Sequence, residues 1–350
     1  MARRGPTGCS LLVGNPTAHS GKAGKAIKAA MNGLERARLR PEFFPTLPEG
    51  ATVAALSQRL ETGDIARVIY LGGDGTFAET AKGIILARER YGVDVPLGML
   101  PMGTANDQGR SFGVQAGIKA LDANIQIIVE GVEQWLDVGR VEALDETGQP
   151  IAQDLWFDSW GVGLSAQILA KRNRDRQIVA KMPLLRQIYR DRLVYVRAGI
   201  SSYFRSLLRR RKCAAEIIID GQRLEYQGVT DIVITGTILY GGDWIFAPEG
   251  KPDDGMFEVV IMKSHADWAG ATLVSHKRLP VTDDELAVLG VRRNKCPAGK
   301  NIEVRLFRPA GISQLHSQID GEEFTYADHY RVENLFHHLR IIVPEDPHWV

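Results

Sequence analysis

Apolar positions along the chain follow two rhythms. Up to about residue 113, short apolar runs alternate with stretches in which apolar residues recur every third or fourth position. "CSLLVGN" reads as a strand, and "GKAGKAIKAAMNGLERARLR" then places Ala26, Ala30, Leu34 and Ala37 at helical spacing. "EFFPTL" with "ATVAALSQRLE" repeats the unit, as do "RVIYLGG" with "GTFAETAKGIILARERYG" and "VPLGMLPMGT" with "ANDQGRSFG". Such alternation predicts a parallel sheet covered by helices, with ligands at the carboxyl ends of the strands. After about residue 130 the texture turns β-rich, with "WLDVGRVEAL", "LWFDSWGVGL", "AAEIIIDGQRLEYQG", "TDIVITGTILYGG", "MFEVVIM", "NIEVRLF" and "SQLHSQIDGEEF" bounded by Gly, Asp and Asn turns. The expected organisation is an α/β domain over residues 1–135 and a β-rich sandwich domain over 136–350, the latter interrupted by a basic helical insertion over 166–212.

Composition fits this division. A chain of 350 residues exceeds one ordinary core and suits two domains. The hydrophobic fraction of 44% and charged fraction of 24% are those of a globular protein, and no stretch approaches the roughly 20 apolar residues of a membrane span. The apolar run of the N-terminus, Leu11 to Val13, is too short for a signal-peptide core, so a cytoplasmic location is expected. Cys9, Cys213 and Cys296 are few and far apart, which supports neither a disulfide framework nor a structural zinc site. The formal charge of +1 hides an asymmetry: residues 171–212 carry fourteen Lys or Arg against Asp175 and Asp191. In that segment Leu, Ile, Tyr and Phe are interleaved with arginine, as in a helix lying on an anionic membrane surface; a solvated helix hairpin packed on the sandwich is the competing reading, and nucleic-acid binding a weaker one.

The chemistry concentrates in the strand-to-helix turns. "YLGGDGTFAET" satisfies G-x-G-x-x-A at Gly73, Gly75 and Ala78, but it follows the third strand, and Asp94 precedes the next strand where a ribose-binding acid should end it. A dinucleotide fingerprint is therefore disfavoured. A Walker loop fails as well, because six residues separate Gly14 from Gly21 and Ala23 stands where a Ser or Thr would ligate magnesium. What remains is a phosphate turn: Gly72 and Gly73 let backbone N–H groups approach oxygens, Thr76 adds a hydroxyl, and the following helix directs its N-terminus at the anion. Asp74 beside a phosphate implies an intervening cation such as Mg²⁺. A second turn offers Gly103, Thr104, Asn106 and Asp107, and the two should converge on one crevice. For a single turn, helix capping by the acids is the competing explanation.

"GGDGT" at 72–76 with Glu79, followed by "PMGTANDQGRSFG" at 101–113, resembles the catalytic domain of the diacylglycerol kinase family, which includes bacterial soluble lipid kinases and the sphingosine and ceramide kinases. The resemblance implies an NAD-kinase-like, Rossmann-like N-terminal domain. It places Asn15, Pro16, Gly21 and Thr46 near the nucleotide together with Gly72, Gly73, Asp74, Gly75, Thr76, Glu79, Gly103, Thr104 and Asn106. It also implies a metal-linked network of Asp74, Asp107 and Asp137. The stretch "APEGKPDDGMFEVVIM" resembles the family's structural magnesium loop, with Asp254 and the carbonyls of Lys251 and Met256 as ligands and Glu258 where the family usually has Asp. "QIDGEEF" matches a late D-G-E motif, so Asp320 or Glu322 would accept the substrate proton; if the strand continues through them, period-two spacing puts both on one side, and the competing reading is a hairpin in which Asp-Gly simply makes the turn.

The resulting expectation is an ATP- and Mg²⁺-dependent lipid kinase that acts on diacylglycerol or a related lipid at a membrane surface. The basic segment would bind an anionic membrane peripherally, nucleic acid is not an expected partner, and a homodimer is allowed. The alternatives are an NAD or other small-molecule kinase and a non-catalytic lipid-binding protein.

Overall fold

A computed structural model describes residues 8–18, 22–103, 106–167, 169–170, 212–240, 244–263, 267, 296–311 and 314–345. The first part alternates as the apolar pattern requires: β1 (Cys9–Gly14), α1 (Lys22–Arg36), β2 (Pro41–Pro45), α2 (Ala51–Leu60), β3 (Ile65–Gly72), α3 (Asp74–Tyr91), β4 (Leu97–Pro101), α4 (Asp107–Ser111) and α5 (Leu121–Glu130). There follow β5 (Val132–Leu144), β6 (Pro150–Trp156), β7 (Ser159–Gly163), β8 (Cys213–Ile219), β9 (Gln222–Val229) and β10 (Asp231–Thr235). The remaining strands are β11 (Leu239–Tyr240), β12 (Trp244–Ile245), β13 (Phe257–Met262), β14 (Ala298–Gly299), β15 (Asn301–Phe307), β16 (Ser317–Ile319), β17 (Glu322–Phe324) and β18 (His329–Val343). The basic segment expected to form a helical insertion falls, from 171 to 211, outside the described residues.

Strands β2, β1, β3 and β4 lie side by side in parallel. Parallel strands are buried on both faces and read as nearly unbroken apolar runs. Accordingly Leu11, Val13, Val68 and Tyr70 enter one core with Phe77 and Ile84 of α3. Leu12, Ile69 and Leu71 enter another on the opposite face, with Ala30 and Leu34 of α1 and Ile125 and Ile128 of α5. Because β2 lies on one side of β1 and β3 on the other, the direction in which successive strands are added reverses between β1 and β3, a switch point that opens a crevice at their carboxyl ends.

The expected division at 135/136 falls within β5, yet the sheet does not stop there. The last strand returns: Ile341 of β18 pairs in parallel with Leu97 of β4, and β18 pairs along most of its length with β5. From β18 the sheet continues antiparallel through β15, β8 and β9. A second sheet, ordered β14-β13-β10-β7-β16-β17, packs against this antiparallel half to form the sandwich. Trp156, Trp160, Ile217, Ile232, Phe257, Val304 and Tyr330 fill the space between them. Burying each large side chain contributes about 1.5–3 kcal/mol. A Cβ at Gly139 would lie 1.9 Å from the Trp156 ring, so a glycine on β5 lets that indole enter the core.

Candidate active site

Residues expected at the nucleotide gather at the carboxyl edge of the parallel sheet. Asn15 and Pro16 follow β1 and are exposed, Thr46 follows β2 and donates its N–H to the Gly14 carbonyl oxygen at 3.0 Å, and Gly72 and Gly73 close β3. Asn15 shapes its own turn, its Oδ1 accepting from the N–H (2.9 Å) and the hydroxyl (2.8 Å) of Thr17. Gly21 and Thr104 lie outside the described residues.

The two glycine turns meet. Met102 and Gly103 both donate N–H to the Gly72 carbonyl oxygen, at 2.7 and 3.2 Å. A Cβ on Gly103 would stand 2.5 Å from the Gly73 Cα, and one on Gly72 2.5 Å from the Thr76 hydroxyl oxygen. Only glycine allows backbone to approach backbone this closely. Gly73 is the cap of α3, so the N–H groups that open this helix, at Gly75 and Thr76, have no partner within it and face the crevice end of the helix dipole. Glu79 is half-buried one turn into the same helix.

Asp74 and Asn106 fasten these turns to each other and to α4. The Asp74 carboxylate accepts the N–H of Asn106 at 2.9 Å and that of Gln108 at 3.4 Å. Helix capping, the competing explanation at the sequence level, is therefore what this carboxylate does, across to the neighbouring helix. Burial pushes its carboxyl above the usual range, against the pull of these amides. Asn106 sits at φ 56 and closes its own loop, accepting the Gly103 N–H and donating to the Gly103 carbonyl oxygen, both at 2.7 Å. Asp107, the first residue of α4, is buried.

Asp137, expected to share a metal-linked network with Asp74 and Asp107, is held by protein donors of its own. Its carboxylate accepts the N–H of Gly255 (2.6 Å) and of His337 (2.9 Å) and the Asn334 amide (3.3 Å), while its own N–H donates to the Pro252 carbonyl oxygen at 2.8 Å. It thus anchors the 252–255 loop to β5 and to the irregularity in β18, where His337 adopts φ 50. In that loop Lys251, Asp254 and Met256 are exposed, and Asp254 Oδ1 accepts the Met256 N–H at 3.0 Å. Beneath lies Glu258, buried, with Oε2 lacking a hydrogen-bond partner. Burial, then Asp254 and Glu249, push its carboxyl up to about 7. A buried acceptor with no donor, facing two further carboxylates, fits a cation at this loop. Among the described residues no group of three His, Cys, Asp or Glu side chains is close enough to hold a metal alone, so main-chain oxygens would have to complete the site.

The D-G-E motif departs from its expected geometry. Asp320 (φ 46) and Gly321 (φ 80) form a two-residue hairpin turn between β16 and β17, with Ile319 paired to Glu322. The strand is interrupted, so the period-two relation between Asp320 and Glu322 does not hold. Glu322 is exposed on the edge strand β17. Asp320 does more than turn the chain. Its carboxylate accepts N–H bonds from Phe157 (2.9 Å), Asp158 (2.8 Å) and Ser159 (3.2 Å). Burial raises this carboxyl to about 6, while the three amides and Lys82 restrain the rise.

Two residues absent from the sequence expectations belong here. Lys82 of α3 faces Asp320 and pairs with Asp154 at 2.6 Å. Asp158 is buried between β6 and β7 and faces Asp107, Asp320 and Asp74. The signal was an acid inside the apolar stretch "LWFDSWGVGL", where an unused carboxyl is costly. An aromatic series brings this turn to the nucleotide side: Tyr70 of β3 meets Phe77 of α3 edge-on at 5.3 Å, and Phe77 meets Phe157 at 5.5 Å. The glycine turns and the Asp320 hairpin therefore face one region.

Comparison with known proteins agrees with this arrangement. The model of the diacylglycerol kinase catalytic domain matches residues 10–141. A diacylglycerol kinase of Bacillus subtilis (strain 168) is 23% identical over 340 residues, 96% of each chain. One from Mycobacterium tuberculosis is 26% identical over 245 residues, covering 69% of this chain and 70% of its own. Among solved structures, a diacylglycerol kinase from Bacillus anthracis str. Sterne superposes with a TM-score of 0.65 at 21% identity, over 96% of each chain. Yeast NADH kinase complexed with NADH shares the fold more distantly, with a TM-score of 0.51 at 12% identity over 98% of this chain and 85% of that one. The motifs, the two-sheet architecture and these relatives lead to one conclusion: residues 10–141 match the diacylglycerol kinase catalytic domain, and the chain as a whole shares the fold of the solved structure from Bacillus anthracis.

Proposed function

We propose that this protein transfers the γ-phosphate of ATP to the hydroxyl of diacylglycerol or a closely related lipid. The observation that carries the reading is the contact of the two glycine turns, whose backbones approach within a distance that no side chain at Gly103 would permit. The N–H groups at the start of α3 cradle the ATP phosphates, helped by the Thr76 hydroxyl and by Gly103 with Thr104 on the second turn. Asp74 and Asn106 keep the turns in register. Mg²⁺ accompanying ATP would be held at Asp74, directly or through water, and would supply neutralisation of the charge on the phosphoryl oxygens. A further ion fits the loop of Asp254 and the Lys251 and Met256 carbonyls, above Glu258, where Asp137 would transmit its position to β5.

Phosphoryl transfer passes through a loose transition state and needs positioning more than a strong base. A carboxylate therefore suffices. Asp320 is held by three amides and, with its carboxyl at about 6, is mostly ionised at neutral pH. It accepts the proton of the lipid hydroxyl, and Glu322 on the exposed hairpin edge orients that substrate. Lys82 balances the charge that Asp320 carries before transfer. The chain meets its substrate at a membrane surface, to which residues 171–212 bind through their basic side chains.

Incubation with [γ-³²P]ATP, Mg²⁺ and diacylglycerol, monoacylglycerol, ceramide, sphingosine or phosphatidylglycerol in mixed micelles tests this reading. Label should enter the organic phase with at least one glycerolipid. In a parallel incubation with NAD as acceptor, label entering NAD and no lipid would transfer the protein to the small-molecule kinases.

A further inference from the structure

Asp158 takes no part in the mechanism above, yet it is 5% exposed and its turn supplies all three amides that hold Asp320. Its carboxyl points at the connection between β10 and β11. The Thr237 hydroxyl contacts Asp158 Oδ1 and also lies 3.2 Å from the Leu239 carbonyl oxygen, and the Ser159 hydroxyl lies 3.3 Å from Asp158 Oδ2. Thr237 has a single hydroxyl proton. Were Asp158 ionised, Thr237 would face two acceptors with one proton, leaving a pair of opposed lone pairs. With a proton on Asp158, that proton goes to Thr237 Oγ1, the Thr237 proton goes to the Leu239 carbonyl oxygen, and both contacts are matched.

The charges around the group agree. Asp107 from α4, Asp320 from the hairpin and Asp74 from α3 all face Asp158. Tyr240 of β11 is a further titratable neighbour. Lys82, the cation that faces Asp320, is engaged by Asp154. Burial first, and then these carboxylates, hold the Asp158 carboxyl well above the usual range. On the main-chain side, the Asp158 carbonyl oxygen accepts the Gly236 N–H at 3.1 Å and faces the Thr235 hydroxyl at 3.3 Å. Strand β11 in turn packs against α4, next to the second glycine turn.

We propose that Asp158 is the positioning residue for Asp320: as a neutral acid it fastens the 157–159 turn, and with it the amides that hold the Asp320 carboxylate, to the β10–β11 connection. This rests on the reading of Asp320 as the proton acceptor, but the holding of its carboxylate can be measured without substrate. In the full chain labelled with [¹³Cγ]aspartate, the Asp320 resonance is assigned by its loss in Asp320→Asn and titrated in four proteins: wild type, Asp158→Asn, Asp158→Ala and Thr237→Val. The wild-type midpoint is expected near 6. Asp158→Asn should leave it there, because the amide donates to Thr237 as the acid does. Asp158→Ala and Thr237→Val should raise it by about one pH unit as the amides drift from the carboxylate. The acidic limb of kcat should rise by the same amount, with KM for ATP unchanged.

A lowered midpoint in Asp158→Asn would mean that a negative charge had been removed, and the neutral-acid proposal would fall. An unmoved midpoint in both Asp158→Ala and Thr237→Val would remove the positioning role. Midpoints that move as expected in a protein that phosphorylates no lipid would uphold the positioning and overturn the role of Asp320 as base, so the two failures are distinguishable.

Discussion

Substitution of Gly103 by alanine tests the meeting of the two turns. The added Cβ would lie 2.5 Å from the Gly73 Cα and 2.9 Å from Asn106 Oδ1. Carbon atoms pack at about 3.5–4.0 Å, so the backbones must separate by roughly 1 Å. Neither neighbour can yield by rotating a side chain, because one is backbone and the other is held by two hydrogen bonds to Gly103 itself. Overpacking of this kind costs about 1–3 kcal/mol. The phosphate cradle opens by the same displacement, and a misplacement of about 1 Å can lower turnover about 100-fold. A matched control exists at Gly83, where a Cβ would meet Leu56 Cδ2 at 2.8 Å in the packing of α2 on α3, away from the crevice. Both variants should lose stability in urea titrations by comparable amounts. Only Gly103→Ala should lose phosphoryl transfer and weaken ATP binding in calorimetry. Equal activity in the two folded variants would refute the argument that the contact of these turns builds the nucleotide site.

Asp74→Asn should lower turnover at least about 100-fold and destabilise by about 1–2 kcal/mol, since an amide offers one acceptor to the two N–H groups that start α4; wild-type kinetics in a folded variant would contradict this. Neutralising Arg209, Arg210 and Arg211 together should weaken sedimentation with anionic vesicles, and the wild-type binding should fall as salt rises. Equal binding of the wild type to neutral and anionic vesicles would discard the basic segment as a membrane contact. Burial, with Arg88 and Arg140, lowers the His338 imidazole to about 4. The unfolded chain then takes up a proton at higher pH than the folded one, so stability is full above about pH 6.5 and falls as pH drops toward 4. Replacing His338 with Gln should flatten that limb in thermal melts, and an unchanged limb would count against it.

The parts legible in the sequence were those governed by local pattern. Apolar periodicity marks β1 to β4 and their helices, and glycine next to Asp and Thr marks the turns at Gly72 and Gly103. The return of β18 to pair with β4 was not legible, because a strand joins a sheet through partners more than 200 residues away and its own pattern names none of them. Asp320 and Glu322 would share one side only if the strand ran through them; the competing reading of Asp-Gly as a hairpin turn is the one that the positive φ at both residues realises. Asp137 carries no local sign of whether it serves Asp74 or the 252–255 loop; the choice is made by where β18 and that loop meet β5. Asp158 was visible as an acid among apolar residues, but its partner Thr237 is supplied by another strand connection.

The most direct test is the initial rate of label transfer from [γ-³²P]ATP to diacylglycerol in mixed micelles, with ATP binding measured on the same preparations of wild type and Asp320→Asn. The predicted result is phosphorylated diacylglycerol with the wild type, and in the variant a rate lower by about 100-fold or more at nearly unchanged ATP affinity. Transfer at equal rates by both proteins would contradict the assignment of Asp320, and no transfer to any lipid by an ATP-binding wild type would contradict the proposed function itself.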